Sequence, residues 1–329
     1  MSGADGFYYL AEPTKGAENT GASYTAVAGD VTFSTPGGFK DGPVTVALSA
    51  DPGLSIRYTL DASEPSEASP LYDQPLGVSE NTVVRARAYA PGMLPSLTAT
   101  ATYLFGEKHT LPVMSVVTDP SYLYDEQIGI YTIGANKNLK YPYKGANFWK
   151  DWERAGNIEY FSVNGTTVLS QGAGIALQGQ YSRMEDQKAF KITARNAYGA
   201  SRFDAALFPN RKYESYRSFL LRASGQDYNK TRMRDAVLTT LADQTPVMFQ
   251  DAVPVIVYLN GEYWGHYNMR ERIHKYSIAQ WEGWQDVDKI SIVKANDNVL
   301  QGRNEDYATF LKWLKKNGCK TEENLARVA

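Results

Sequence analysis

Arg183, Lys188 and Lys191 crowd into the stretch from Leu177 to Ile192, LQGQYSRMEDQKAFKI. Three cations so close together suit a phosphate-rich partner, arginine offering a bidentate fork and lysine a point charge. Gly179 precedes them and lets the backbone turn or lie close to a ligand. The stretch alternates towards its end. Lys188, Phe190 and Ile192 share one parity, and Ala189 and Lys191 the other, which predicts a strand. Taken alone, the same residues equally describe an amphipathic strand with a solvated basic face, because charge on an edge strand is ordinary protection against aggregation.

The elements that must position these cations belong to a chain of 329 residues with a formal net charge of -2. That length fits two domains. The charge balance points to neither nucleic acid nor an anionic membrane surface. Tyrosine is abundant, at 23 residues, as in many exported β-rich bacterial proteins. Cys319 is the single cysteine, so an internal disulfide and a cysteine metal cluster are excluded. His109, His266 and His274 lack zinc-site spacing. No run reaches the roughly 18 apolar residues of a membrane-spanning helix. The opening MSGADGFYYL has no basic region followed by an apolar core, so it is not a signal peptide. Either the protein is cytoplasmic or Met1 is not the natural start.

Residues 1–28 hold the short apolar run Phe7–Leu10 and then AEPTKGAENTGAS, which reads as linker. Residues 29–105 read as short strands at Val44–Leu48, Ser55–Leu60, Thr82–Tyr89 and Ala99–Phe105. Pro36-Gly37-Gly38, Asp51-Pro52-Gly53 and Pro91-Gly92 supply the turns. That pattern predicts a small antiparallel β-sandwich. From Leu111 the composition shifts towards Trp, Arg and Lys. Leu111–Val117 and Ile128–Tyr131 read as strands, and residues 134–152 as a long loop of the kind that covers a site. Asn164-Gly165 and Asn260-Gly261 mark hairpins over Ile158–Leu169 and Val253–Met269. Helices are expected over Arg232–Leu241, with Met233, Val237 and Leu241 on one face, over Ser277–Trp281, and over 305–316 between Asn304 and Gly318. A further helix opens at Thr321-Glu322-Glu323 and is cut off by the chain end, which predicts truncation at the C-terminus.

Three stretches resemble known families. GFYYLAEPTKGAENT is similar to the closing strand and exit loop of a lamin-tail domain. Tyr58, Thr59, Leu60, Asp61, Ser63, Pro65, Ser69 and Tyr72 fill the pattern of the fibronectin-III-associated module, also called chitobiase C-terminal-like. Residues 111–283 resemble the spore-coat-protein-H (CotH) kinase family. Gly179, Ser182, Arg183, Lys188, Phe190 and Lys191 match one of its segments, from which Tyr181 and Gln187 depart. Tyr198-Gly199, Leu207-Phe208-Pro209, LLRASGQD with Arg222 and Asp227, the run Arg234-Asp235-Ala236, and LNGEYWGHYNMRE from Leu259 to Glu271 follow in order.

The CotH resemblance implies an atypical protein-kinase-like fold that transfers phosphate from ATP, with Mg²⁺, to serines of secreted or surface proteins. It implies that Arg183, Lys188, Lys191 and Arg222 hold phosphates and that Glu271 orients the lysine. Each has a structural alternative: Arg222 ion-paired with Asp227 or Asp235, and Glu271 capping or paired with Arg270 or Arg272. The family's metal-holding aspartates come late. Asp286, Asp288, Asp297 and Asp306 lack that context, so the catalytic residues are unknown here and are expected beyond Ala329. The expected architecture is α+β: linker over 1–28, sandwich over 29–105, and a truncated kinase-like domain over 109–329. The rival functions are a non-catalytic surface adhesin or scaffold, and a glycan-binding module over residues 29–105. The resemblances place the protein outside the cell or on a bacterial surface, with a protein substrate, no nucleic-acid partner and no transmembrane segment.

Overall fold

The computed structural model describes residues 8–10, 14, 16–18, 21–106, 109–136, 138–294 and 298–328. Part of the linker, the greater part of the lamin-tail-like stretch and Asp297 lie outside the described residues. The chain is mostly β, with several sheets, a seven-stranded barrel and few helices. It divides into two compact units, Met1–Glu271 and Arg272–Ala329.

In the first unit, β1 (Gly38–Lys40), β2 (Ser55–Thr59), β3 (Thr82–Tyr89) and β4 (Ala99–Phe105) form a four-stranded sheet in the order β1-β4-β3-β2. Two short antiparallel pairs, Thr32–Phe33 with Leu48–Ser49 and Val44–Val46 with Leu76–Val78, make the opposing layer. Val46, Leu48, Val84, Ala86, Ala88 and Tyr103 fill the space between. This is a two-layered sandwich as expected, but not a purely antiparallel one, because β1 pairs parallel to β4. Asp61 behaves as a turn residue, accepting from the Ser63 backbone N–H at 3.0 Å.

The barrel is built from β5 (Val113–Thr118), β6 (Glu153–Phe161), β7 (Thr167–Gln178), β8 (Ala189–Thr193), β9 (Ser218–Arg222), β10 (Ala252–Leu259) and β11 (Glu262–Glu271). The order is β5-β6-β7-β8-β9-β11-β10, and β10 closes the ring by pairing parallel to β5. Both predicted hairpins are present, β6–β7 and β10–β11. Asn260 and Gly261 both sit at positive φ, 52° and 84°, as a two-residue hairpin turn requires. Inward residues alternate with outward ones, so Phe190, Ile192, Phe219, Leu221, Tyr267 and Met269 share one interior.

Two expectations are corrected. Ile128–Tyr131 is not a strand. It follows the short helix α1 (Pro120–Tyr124), and its backbone N–H groups fold back onto that helix, Ile130 to Tyr122 and Tyr131 to Leu123. The helix expected at Arg232–Leu241 is α2 (Arg234–Thr240), but Met233, Val237 and Leu241 are exposed. Its contact with the barrel runs through Asp235 and Thr239 to Arg270 instead.

The second unit contains α3 (Lys275–Glu282), α4 (Glu305–Asn317) and α5 (Glu322–Val328), with a small hairpin of Ile292–Lys294 and Asn298–Gln301. A reciprocal cap of His274 and Ser277 opens α3, and Gly283 closes it in the left-handed region. No helix among the described residues is long and apolar enough to cross a membrane.

Sandwich and barrel share a buried seam. Leu104 of β4 meets Val113, Phe161, Ile256 and Tyr258 on the outer face of the barrel. Ala62 and Val83 meet Val117, and the hydroxyls of Thr102 and Ser115 bond at 2.8 Å. Within this seam Glu159 is buried and accepts from the Thr102 N–H at 2.8 Å. Burial pushes its carboxyl up to about 8, against the opposing pull of Thr102 and the Lys40 charge.

The folded protein therefore keeps a proton that the unfolded chain releases above its ordinary pKa of 4.5. Stability falls as pH rises from about 4.5 to about 8 on that account. Glu159→Gln, which keeps the shape without the titration, is expected to flatten this slope and to melt several degrees above wild type at pH 9. Thermal melts between pH 5 and 9 check it.

Candidate functional site

Lys188 lies immediately before β8 and continues the parity of Phe190 and Ile192, so its side chain turns to the barrel mouth rather than to the outer wall. Its main chain is clamped on both sides. The Lys188 N–H donates to the Tyr131 hydroxyl at 2.8 Å, and the Tyr267 hydroxyl donates to the Lys188 carbonyl at 2.8 Å. Trp264 adds an indole N–H to Tyr131 at 3.1 Å. Burial pushes the Tyr131 phenol up to about 12 and raises that of Tyr267 as well, so both clamps persist as neutral hydrogen bonds at physiological pH.

The ammonium of Lys188 is the distinctive group. The residue is only 5% exposed. Nζ donates to the Glu185 carbonyl at 2.7 Å and lies over the rings of Tyr131 (4.8 Å) and Phe148 (5.1 Å). An ammonium has three donors, and no carboxylate reaches it at ion-pair distance among the described residues. Burial lowers its pKa to about 8, opposed by the more distant charges of Asp186 and Glu185. A cavity of about 440 Å³ opens on it, lined by Tyr131, Asp186, Gln187, Lys188, Tyr263 and Trp264. A desolvated cation over two ring faces, beside open space, is arranged to receive an anion.

The other expected site residues are dispersed. Arg183 sits on a single 3-10 turn (Tyr181–Met184) that follows Gly179, whose φ is 115°. Its guanidinium ties down the preceding loop, donating to the carbonyls of Gly179 (2.9 Å) and Phe148 (3.3 Å) and pairing with Asp151 at 3.2 Å. Arg183 therefore holds Phe148, the ring beneath Lys188. Lys191 faces the outside of the barrel, opposite in parity to Lys188, between Ala176 and Leu220.

Arg222 is on the outer face too. It pairs with Asp235 at 2.9 Å, so the second of its two structural alternatives is present, half-exposed. Asp235 also takes the buried Arg270. Asp227 serves Thr231 (2.5 Å) and Arg234 (3.4 Å) instead. Glu271 lies on the interior parity but at the far end of β11. It is 3% exposed, paired with Arg211 at 2.7 Å, and accepts from the Tyr213 hydroxyl.

The register makes the separation explicit. Phe190 pairs with Leu221 and Leu221 with Met269, whereas Ile192 pairs with Phe219 and Phe219 with Glu271. Lys188 and Glu271 are thus at levels four residues apart along the strands, on the order of 13 Å at about 3.3 Å per residue. The fold does not bring them together.

Tyr131, Trp264, Tyr263, Asp186 and Gln187 complete the cavity and were not among the expected site residues. Trp264 and Tyr263 sit inside the LNGEYWGHYNMRE segment, so a signal for them existed. Gln187, a departure from the family pattern, bonds the His266 carbonyl at 3.0 Å and accepts from Arg232, tying β11 to the segment before α2.

Residues 175–328 match the CotH kinase protein family, and residues 35–100 match the chitobiase/beta-hexosaminidase C-terminal domain. The chain thus carries a CotH kinase family segment behind a chitobiase C-terminal-type module. No curated protein matches the chain.

Proposed function

We propose that this chain supplies the nucleotide-holding part of a CotH-type protein kinase, with the phosphates of ATP received at Lys188. The observation that carries the reading is the buried ammonium, short of anionic partners and facing an open cavity. Tyr131, Phe148 and the Glu185 carbonyl orient it, the task that a carboxylate performs in other kinases. Trp264 and Tyr263 wall the cavity. Glu271 and Arg222 act away from the phosphates, as supports of the barrel end and of α2.

ATP and Mg²⁺ are the cofactors the family points to, and a bound metal would supply charge neutralisation for phosphoryl transfer. Asp186 is the cavity's own carboxylate. Among the described residues no three His, Cys, Asp or Glu side chains cluster as a metal site, so this cavity fits the phosphates better than the metal. The acceptor class, serine of a secreted or surface protein, and an extracellular location rest on the family match and the accompanying module.

Calorimetric titration of the whole chain with Mg-ATP tests the reading. Saturable binding below about 1 mM is expected, and no heat at that concentration would sink it. Arg183→Ala is expected to weaken binding about tenfold, because it frees Phe148 and costs Lys188 one of its two ring contacts. It should also open the 138–151 loop to limited proteolysis. Unchanged affinity would reduce Arg183 to a loop anchor with no bearing on the ligand.

A further inference from the structure

Beyond the Lys188 cavity, the 134–152 loop builds a second pocket of about 440 Å³, lined by Pro142, Lys144, Gly145, Trp149, Gln180 and Tyr181. The Trp149 and Tyr181 rings meet at 85° with centroids 6.2 Å apart, forming a corner. Tyr141 extends the Tyr181 surface, stacked at 15° and 6.3 Å. Trp149 is half-buried against the barrel core, and the two tyrosines are exposed. Tyr181 is 57% exposed and Tyr141 70%. The indole N–H of Trp149 is already spent on the Pro142 carbonyl at 2.8 Å, so the ring offers its face and not its polar edge.

Charge narrows the class of ligand. Lys140 and Lys144 are exposed and have no ion-pair partner among the described residues. Asp151, the nearby acid in the sequence, is engaged by Arg183. A ligand that satisfies this corner carries a flat face for the rings and an anionic group for the lysines. No Leu, Ile, Val or Met lines the pocket, so it lacks the aliphatic slot that anchors an apolar peptide side chain. A pyranose ring presents a C–H face that aromatic π-faces attract, its hydroxyls suit the Gln180 amide, and a carboxylate on the ring suits Lys144.

We infer that the Trp149–Tyr181 corner, with Lys144 at its rim, is a binding site for an acidic saccharide. The protein would then carry a glycan site on the loop beside its proposed nucleotide cavity, separate from the sandwich module.

The test uses the whole chain, with trigalacturonate and a hyaluronan tetrasaccharide as acidic probes. Maltotriose, hexaglutamate and ATP serve as comparisons, and tryptophan fluorescence and calorimetry as readouts. At least one acidic saccharide should bind saturably, ahead of maltotriose and hexaglutamate, and weaken with added salt. Tyr181→Ala should lower its affinity about tenfold or more and Lys144→Gln about threefold. Lys144→Gln, at an exposed position, guards against a folding artefact. Mg-ATP binding should stay unchanged in both variants. Failure of both acidic probes, equal binding of hexaglutamate, competition by ATP, or affinity indifferent to both substitutions would each overturn the assignment. Because ATP binding is read separately, the nucleotide proposal and the saccharide site stand or fall independently.

Discussion

Lys188→Met is expected to reduce Mg-ATP affinity by at least about 100-fold while leaving the protein folded. The two halves of that expectation have one cause. The Lys188 ammonium is desolvated, over the rings of Tyr131 and Phe148, with the Glu185 carbonyl as its hydrogen-bond partner. Burying a charge in this way costs stability, which is why its pKa falls to about 8. A methionine of similar length fills the same slot without that cost, so the melting temperature should hold or rise. The phosphates lose their fixed countercharge, and hydrogen bonds to charged groups carry about 1.5–3 kcal/mol each.

The pH dependence follows. The folded-state pKa is depressed below 10.5, so below about 8 the fold bears the cost of a buried charge, and stability rises as pH climbs from about 8 towards 10.5. ATP binding should run the other way, weakening as pH rises through the lysine's titration, with the midpoint moved upward by the bound phosphates. Lys188→Arg keeps the charge and should lose the pH dependence even if the longer fork fits poorly. Calorimetry at pH 7 and pH 9.5 on the three proteins decides it. Equal affinity in wild type and Lys188→Met would end the proposal.

Glu271→Ala is expected to cost about 3–5 kcal/mol of stability, because it strands the Arg211 guanidinium in the interior. That arginine loses both its bonds to the carboxylate, at 2.7 and 2.8 Å. The Tyr213 hydroxyl loses its acceptor as well. Denaturant unfolding should show a lower midpoint with little change in slope. At a temperature where the variant stays folded, its Mg-ATP affinity should remain within about threefold of wild type, because Glu271 belongs to the barrel end away from Lys188. A selective loss of ATP binding with stability intact would instead restore Glu271 as the partner of the lysine. Arg211→Met with Glu271→Leu, which removes both charges together, should recover much of the lost stability.

What the sequence made legible was local. Asn260-Gly261 announced its hairpin because a two-residue turn with φ above zero is specified by its own residues, and Asn164-Gly165 announced the other through a longer loop in which Gly165 alone takes positive φ. The strand at Thr82–Tyr89 follows from its alternation. The barrel closure was not legible: β5 pairs with β10 across more than a hundred residues, and no local signal encodes a parallel pairing at that distance. Ile128–Tyr131 misled because four apolar residues describe a turn folded on a helix as well as a strand.

The cations were visible by type, and so was the sidedness of the two lysines. Parity alone puts Lys188 and Lys191 on opposite faces of β8. Glu271 needed the sheet order to be placed, since its distance from Lys188 depends on β9 lying between β8 and β11. Tyr131 and Phe148 were invisible as site residues. Both lie in segments without periodicity, and they reach Lys188 only through the tertiary fold.

The seam between sandwich and barrel constrains how such proteins can be rearranged. β5 is buried on both faces, its inward side in the barrel core and its outward side under Leu104, Val83 and Thr102. A gene fusion that transplants the barrel without residues 29–105 would carry a two-sided core strand into water on one side. Shuffling of the two pieces should therefore succeed as a cassette and fail as separate parts, even though each matches a family of its own. The β-module is in this sense a wall of the barrel as much as an appendage to it.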